Sequence, residues 1–293
     1  MSDTLASLRR KIDGAGKLKS VVRTMKAVAA SSIGQYEAAV RSLADYEHSV
    51  ELGLSLCFRQ NGAIATSPKR RTGKEAVGAI VFGSDQGLVG QFNEAVADFA
   101  AAKLGSMSAE KKLWVVGERI YGSLADSGLS MAGQFPVPSS VDGITELVEQ
   151  LQVALEEKKA NPATEVYVFH ARPTSGSLYE PVCQRLLPFD AEWQKTLAKI
   201  PWPTKNLAEI FGHSQATLRA LVREYLFIVL FRACAESLAS ENASRLAAMQ
   251  RAEKNIDSLS KELKRSFYRL RQNSIDEELF DVIAGFNSLS SAK

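Results

Sequence analysis

From Leu18 onward the apolar and small residues of this chain run Leu18, Val22, Met25, Ala29, Ser32, Tyr36, Ala39, Leu43, Tyr46 and Val50. Steps of four and three alternate, which is the heptad seam of a left-handed supercoil and predicts an N-terminal helix of about fifty residues. The other end answers with Tyr225, Ala235, Leu238, Asn242, Met249, Ala252, Ile256, Leu259, Leu263 and Leu270. That second seam predicts a C-terminal helix of about eighty residues. The two ends therefore read as partners in one long antiparallel coiled coil, with an unrelated segment between them.

Antiparallel pairing makes a numerical demand, because facing positions must add to a nearly constant value. A total of about 271 sets Val22 against Met249, Ala29 against Asn242, Leu18 against Ala252, Ala15 against Ile256, Ile12 against Leu259 and Leu8 against Leu263. In that register the N-terminal helix is used up near Tyr268, and roughly 25 further residues would project alone, about 35–40 Å if helical. They carry an apolar stripe of Ile275, Leu279, Val282, Ile283, Phe286 and Leu289. A helix with such a stripe does not sit bare in water, so something outside this chain is expected to surround it.

The middle reads differently. Gln60 to Lys74 is rich in Gly, Pro, Ser, Thr and basic residues, the composition of a linker. Ala76–Phe82 is a continuous apolar run suited to a buried strand; Asn93–Leu104 reads as helix, Lys112–Val116 as strand, and a short helix follows from Glu118. Ile144–Lys159 reads as helix, Glu165–Ala171 as strand and Leu178–Pro188 as a further strand. Alternation of this kind implies a small Rossmann-like domain with a mainly parallel sheet. The expected fold is thus mixed: a coiled-coil helix over 1–58, a linker over 59–75, an inserted Rossmann-like α/β domain over 76–205, and a second coiled-coil helix with a projecting tip over 206–293.

Charge changes the picture locally. A net charge of +3 and 24% charged residues argue against a dedicated nucleic-acid binder. Yet Arg9, Arg10, Lys11, Lys17, Lys19, Arg23 and Lys26 meet only Asp13 in their own stretch, and Lys261, Lys264, Arg265, Arg269 and Arg271 cluster near the other end. In the expected register the two runs share one level of the coil and form a basic collar suited to an acidic partner surface. Solvated helix faces without a partner are the plainer alternative.

Chemistry-bearing motifs are sparse. Cys57, Cys183, Cys234, His48, His170 and His213 are scattered without ligand spacing, which supports neither a disulfide framework nor a metal site. No nucleophile stands beside a base in a known pattern, so no catalytic residue and no cofactor is assigned. The turn from Gly83 to Asn93 has glycines at 83, 87 and 90, which is not GxGxxG, and no GK[ST] follows. Those glycines are expected to permit a tight strand-to-helix turn, with Asp85 or Ser84 satisfying backbone amides. The start of the chain lacks the apolar core of a signal peptide, and the apolar stretch Leu226–Phe231 is too short to span a bilayer. A cytosolic protein is expected, connected to membranes only through other proteins. In the run Glu236 to Met249, small residues mix with Glu241, Asn242 and Arg245, and a buried Asn at a seam can fix register.

Here a resemblance enters. Glu236 to Leu259, then Arg271-Gln-Asn-Ser-Ile-Asp-Glu-Glu-Leu279, is similar to the C-terminal signature of the gamma subunit of F-type ATP synthases. Lys11-Ile12 with Thr24-Met25-Lys-Ala-Val-Ala-Ala30 resembles that family's N-terminal helix, and Gly83 to Asn93 resembles its glycine-rich turn. The resemblance implies a central-stalk rotor, itself non-catalytic. Its tip would lie inside a ring of three alpha and three beta subunits, and its α/β domain would form part of a foot on the membrane c-ring, at the cytoplasmic face of the inner membrane. It further implies ring contacts at Arg271, Gln272, Glu241, Arg245, Met25, Ile275 and Leu279. Contacts with the foot and the epsilon subunit would fall at Asp85, Gly87, Gly90 and Asn93. The chain departs from the family pattern at Ser20, Ser32, Tyr268, Asp276, Gln86 and Gln91, the mark of a divergent branch. A coiled-coil adaptor outside any ATPase, or a nucleotide-dependent α/β enzyme with helical decoration, would remain as alternatives.

Overall fold

A computed structural model describes residues 4–61, 76–125, 127–157, 165–175, 178–206, 208–210 and 214–290. Most of the expected linker lies outside the described residues. The elements are α1 (Leu5–Ser42), α2 (Ala44–Asn61), β1 (Ala76–Phe82), α3 (Phe92–Gly105), β2 (Glu110–Val116) and α4 (Glu118–Ala125). They continue with β3 (Met131–Phe135), α5 (Val141–Glu157), β4 (Glu165–Arg172), β5 (Glu180–Leu187), α6 (Ala191–Ala198) and α7 (Ser214–Ser290). The mixed fold expected from the sequence is the one observed, with long helices at both ends and a five-stranded sheet between.

Contacts group the chain into two compact units, residues 29–245 and the pair of segments 1–28 and 246–293. In the larger unit the strand order is β3-β2-β1-β4-β5. β1 runs parallel to β2 and β4, β2 runs parallel to β3, and β5 is antiparallel to β4. β1 is buried along its whole length, as a central strand covered on both faces must be. Its side chains alternate: Val77, Ala79 and Val81 pack with α3 and α4, and Ile80 and Phe82 pack with α5 and α7. β3, an edge strand interrupted by Gly133, and α6, capped by Asp190 accepting from the Glu192 amide at 3.2 Å, were not expected from the sequence.

α7 is buried nearly all round from Ile228 to Asn242. There Leu230, Cys234, Leu238 and their neighbours share one core with Ile80, Phe82, Trp114, Ile144 and Leu151, and with Tyr36 and Ala39 of α1. This helix is thus a layer of the α/β domain as well as a coil strand, which explains the all-round apolar character of Leu226–Phe231. A third cluster joins Val50, Leu54 and Phe58 of α2 to Leu197 of α6 and Ile228 of α7. The single fifty-residue N-terminal helix is corrected to two helices broken at Leu43. The Ser42 hydroxyl donates to the Ala39 carbonyl at 2.8 Å, competing with the helical hydrogen bonds at that turn.

In the smaller unit the buried and half-buried positions step Leu8, Ile12, Ala15, Lys19, Val22 on α1 and Met249, Ile256, Ser260, Leu263, Leu270 on α7. Leu18 at 59% and Leu259 at 50% exposure face solvent, which corrects the Leu18–Ala252 and Ile12–Leu259 pairings. In the larger unit Tyr46 is also exposed and leaves the seam. Two phases of the same period both pass through Leu8, Ala15 and Val22, one by Leu18 and one by Ile12 and Lys19, and the second is the one observed: Lys19 is half-buried and its ammonium reaches out to Asp257. Arg23 and Lys26 bind the two oxygens of Glu253 at 2.8 and 2.6 Å. These acids lie one to two turns beyond the positions that the expected register pairs with the three cations. That offset is what antiparallel helices produce, since side chains on both lean toward their own N-termini. The basic collar is corrected at three of its members: Lys19, Arg23 and Lys26 are neutralised within the chain, while Arg9, Arg10, Lys17, Lys261, Lys264, Arg265, Arg269 and Arg271 are exposed.

Candidate interaction surfaces

The Gly83–Asn93 turn follows β1 and is held by its own polar groups. Asn93 Oδ1 accepts from the Ser84 amide at 2.9 Å, and Asn93 Nδ2 donates to Ser84 Oγ at 2.8 Å. Asp85 accepts from the Glu118 amide through one oxygen and from the Val137 amide through the other, both at 2.9 Å. One carboxylate thereby ties together the ends of β1, β2 and β3 and sits at the N-terminus of α4, where negative charge is favoured. The turn is thus a structural joint, pinned by Asn93 and Asp85. Of the residues expected at a foot contact, Asn93 is buried inside this joint, Asp85 is half-buried, and Gly87 and Gly90 lie at its rim, Gly90 with φ of 63°.

The polar break of α7 lies opposite the same turn. Glu241, 5% exposed, accepts from Arg245 Nη2 at 2.6 Å, and Arg245 also donates to Asn242 Oδ1 at 3.4 Å. Burial pushes the Glu241 carboxyl above its ordinary range, Arg245 opposes this, and the nearby Asp85 charge reinforces it. Both residues are thus engaged inside the chain and offer a partner little surface. His170, near the end of β4, is buried, with Nε2 2.9 Å from Glu236 Oε2. Burial raises the Glu236 carboxyl, but its hydrogen bonds from His170 and Arg172 prevail and hold it below the usual range. Sequence reasoning assigned no role to Glu236, Ser240 and Ser244. Their spacing of four, polar residues within an otherwise apolar stretch, was the available signal.

The C-terminal end of α7 is the bare surface. Ile275, Leu279, Phe280, Val282 and Ile283 are 47–70% exposed, and Arg271 and Gln272 beside them are exposed too. Met25 is half-buried on α1. A contiguous apolar stripe of this kind marks an interaction surface. Among the described residues no group of three or more His, Cys, Asp or Glu could hold a metal ion. No described helix is long and apolar enough to cross a membrane.

An uncovered apolar helix end is the mark of an assembly subunit, and the comparisons agree. The family described as ATP synthase matches residues 4–289. The ATP synthase gamma chain of Frankia casuarinae is 27% identical over 299 residues, covering 99% of both chains. That of Mycobacterium leprae is 27% identical over 306 residues, covering all of both. A chain in a cryo-EM structure of the Euglena gracilis mitochondrial ATP synthase shares the fold with a TM-score of 0.66 at 14% identity, covering 99% of this chain and 95% of that one. The chain belongs to the ATP synthase family, as a gamma subunit of the F-type complex and its central-stalk rotor.

Proposed function

We propose that this rotor is non-catalytic and works by presenting different sides of its coil to nucleotide sites that reside entirely in other chains. Ion flow through a membrane c-ring turns it; its asymmetry then imposes different affinities on three catalytic sites in turn, a population shift driven mechanically. Alpha and beta subunits form the sleeve around Arg271, Gln272, Ile275 and Leu279, and Met25, Glu241 and Arg245 are further positions assigned to the ring. The Asp85–Asn93 face, with Gly87 and Gly90 at its rim, meets the foot and the epsilon subunit. The protein is peripheral, at the cytoplasmic face of the inner membrane.

The observation that supports this reading most directly is the exposed apolar end of α7, which demands a cover of matching shape. Purification in mild detergent is expected to recover the chain at one copy per hexameric ATPase. Recovery as a stable homodimer without an ATPase would favour the adaptor reading instead. The isolated chain is expected to show no tight ATP binding by titration calorimetry, and micromolar affinity lost on substitution of Asp85 would revive the enzyme reading.

A further inference from the structure

Glu236, Ser240 and Ser244 stand four residues apart on α7 and share one face, spread over about 12 Å of helix. Each holds a different point at the C-terminal edge of the sheet. Glu236 Oε2 accepts from Arg172 Nε at 3.2 Å and lies 2.9 Å from His170 Nε2. Ser240 Oγ donates to the Ala171 carbonyl at 3.2 Å, and Ser244 Oγ donates to the Val89 carbonyl at 2.8 Å. Ser240 and Ser244 are 0% and 5% exposed, and the His170 side chain is 2% exposed. Three successive turns of one helix are therefore bonded to the end of β4 and to the turn after β1.

Much of the remaining contact between α7 and the sheet is apolar, and apolar packing has no direction. Side chains can change rotamers and let a helix roll or slide at modest cost. Hydrogen bonds weaken steeply once the donor angle closes toward 120°, so buried polar ties resist rotation in a way that Leu and Val contacts do not. Rolling α7 about its axis would break all three ties together and leave buried Ser240 and Ser244 hydroxyls unsatisfied, at a cost in each case.

We propose that Glu236, Ser240 and Ser244 are positioning residues that form a torque joint, locking the α/β domain to α7 against rotation about the helix axis. The inference rests on the rotor reading. In a rotor, load enters at the domain and leaves along the coil, so this joint lies in series with every power stroke and slip there wastes rotation. Coiled-coil contacts alone would not supply that rigidity, because they join two helices and not a helix to the sheet.

The test uses the complete membrane-bound complex carrying the double substitution Ser240→Ala and Ser244→Ala, compared with the double Ser→Thr variant that keeps both hydroxyls. The expected result is an ATP hydrolysis rate within about twofold of the parent, a loss of at least half of the ions pumped per ATP, and restoration of pumping by threonine. Hydrolysis and pumping falling in proportion, with no rescue by threonine, would overturn the joint. If the double variant does not assemble, Ser244→Ala alone gives the same readouts. Should the parent chain not be found in an ATPase at all, the rotor reading fails independently. Hydrogen exchange on the isolated full-length chain then still tests the tie, with residues 84–91 and 169–172 expected to exchange about tenfold faster together in the alanine variant, and unchanged protection refuting it.

Discussion

A Cβ placed on Gly83 would come within 2.3 Å of Ile120 Cγ2 and 2.9 Å of Asn93 Oδ1. Neither neighbour can retreat, because Ile120 is fully buried against α3 and Asn93 holds the Ser84 amide. Gly83→Ala is therefore expected to destabilise the larger unit by about 1–3 kcal/mol, read as a lower urea midpoint with an unchanged slope. A different single-residue effect governs the smaller unit. Hydrogen bonds from Arg23 and Lys26 depress the Glu253 carboxyl from its ordinary 4.5 to about 2. The unfolded chain thus binds this proton more tightly than the folded one. The stabilisation is complete above the ordinary carboxylate range and is lost as pH falls through about 2. Thermal melts followed by circular dichroism are expected to show the midpoint dropping between about pH 4.5 and 2, with Glu253→Gln flattening part of that drop. A variant with the full parental slope would show that Glu253 carries none of it.

At the scale of elements, Arg59 of α2 donates from Nε to the Ala198 carbonyl at 2.7 Å and from Nη2 to the Ile200 carbonyl. It thereby closes the C-terminal end of α6 beyond the Thr196 and Leu197 carbonyls, which accept from the Lys199 and Ile200 amides. Arg59→Ala is expected to cost about 1 kcal/mol and to speed amide exchange at Lys199 and Ile200, leaving the sheet unaffected. This cap was invisible in the sequence because 139 residues separate the partners. The strands of the sheet were legible where burial on both faces imposes an apolar run, as in Ala76–Phe82. Met131–Phe135 was not, since an edge strand with Gly133 needs neither alternation nor an unbroken run. The heptad seam was legible in its period, yet near the N-terminus that period fits two phases, and a lysine whose stem packs while its ammonium reaches Asp257 took the position that hydrophobicity would give to Leu18. Glu241, Asn242 and Arg245 were legible as polar residues within a small and apolar run, but that Glu241 and Arg245 are buried and paired with each other follows from tertiary packing that the run does not encode.

For the whole molecule the decisive question is what the end of α7 does. Leu279, Phe280, Val282 and Ile283 lie beyond Ser274, the last half-buried side chain among the described residues, and with Ile275 they are about half exposed or more. Burying the area that these five still expose would be worth about 1–2 kcal/mol apiece before the cost of fixing them in place. The tip can therefore contribute substantially to binding in a sleeve while contributing nothing to the fold of residues 29–245, a unit to which it does not belong. Removal of residues 269–293 is accordingly expected to leave the unfolding of the larger unit within about 0.5 kcal/mol of the parent. In the reconstituted complex the same truncation is expected to raise the concentration of rotor needed for assembly at least tenfold and to lower ions pumped per ATP. Hydrolysis would persist, since the nucleotide sites are proposed to lie elsewhere. If the truncation instead melted the sheet, seen as loss of far-ultraviolet ellipticity well beyond the 25 residues removed, the tip would be part of the core and its exposure would have no functional meaning.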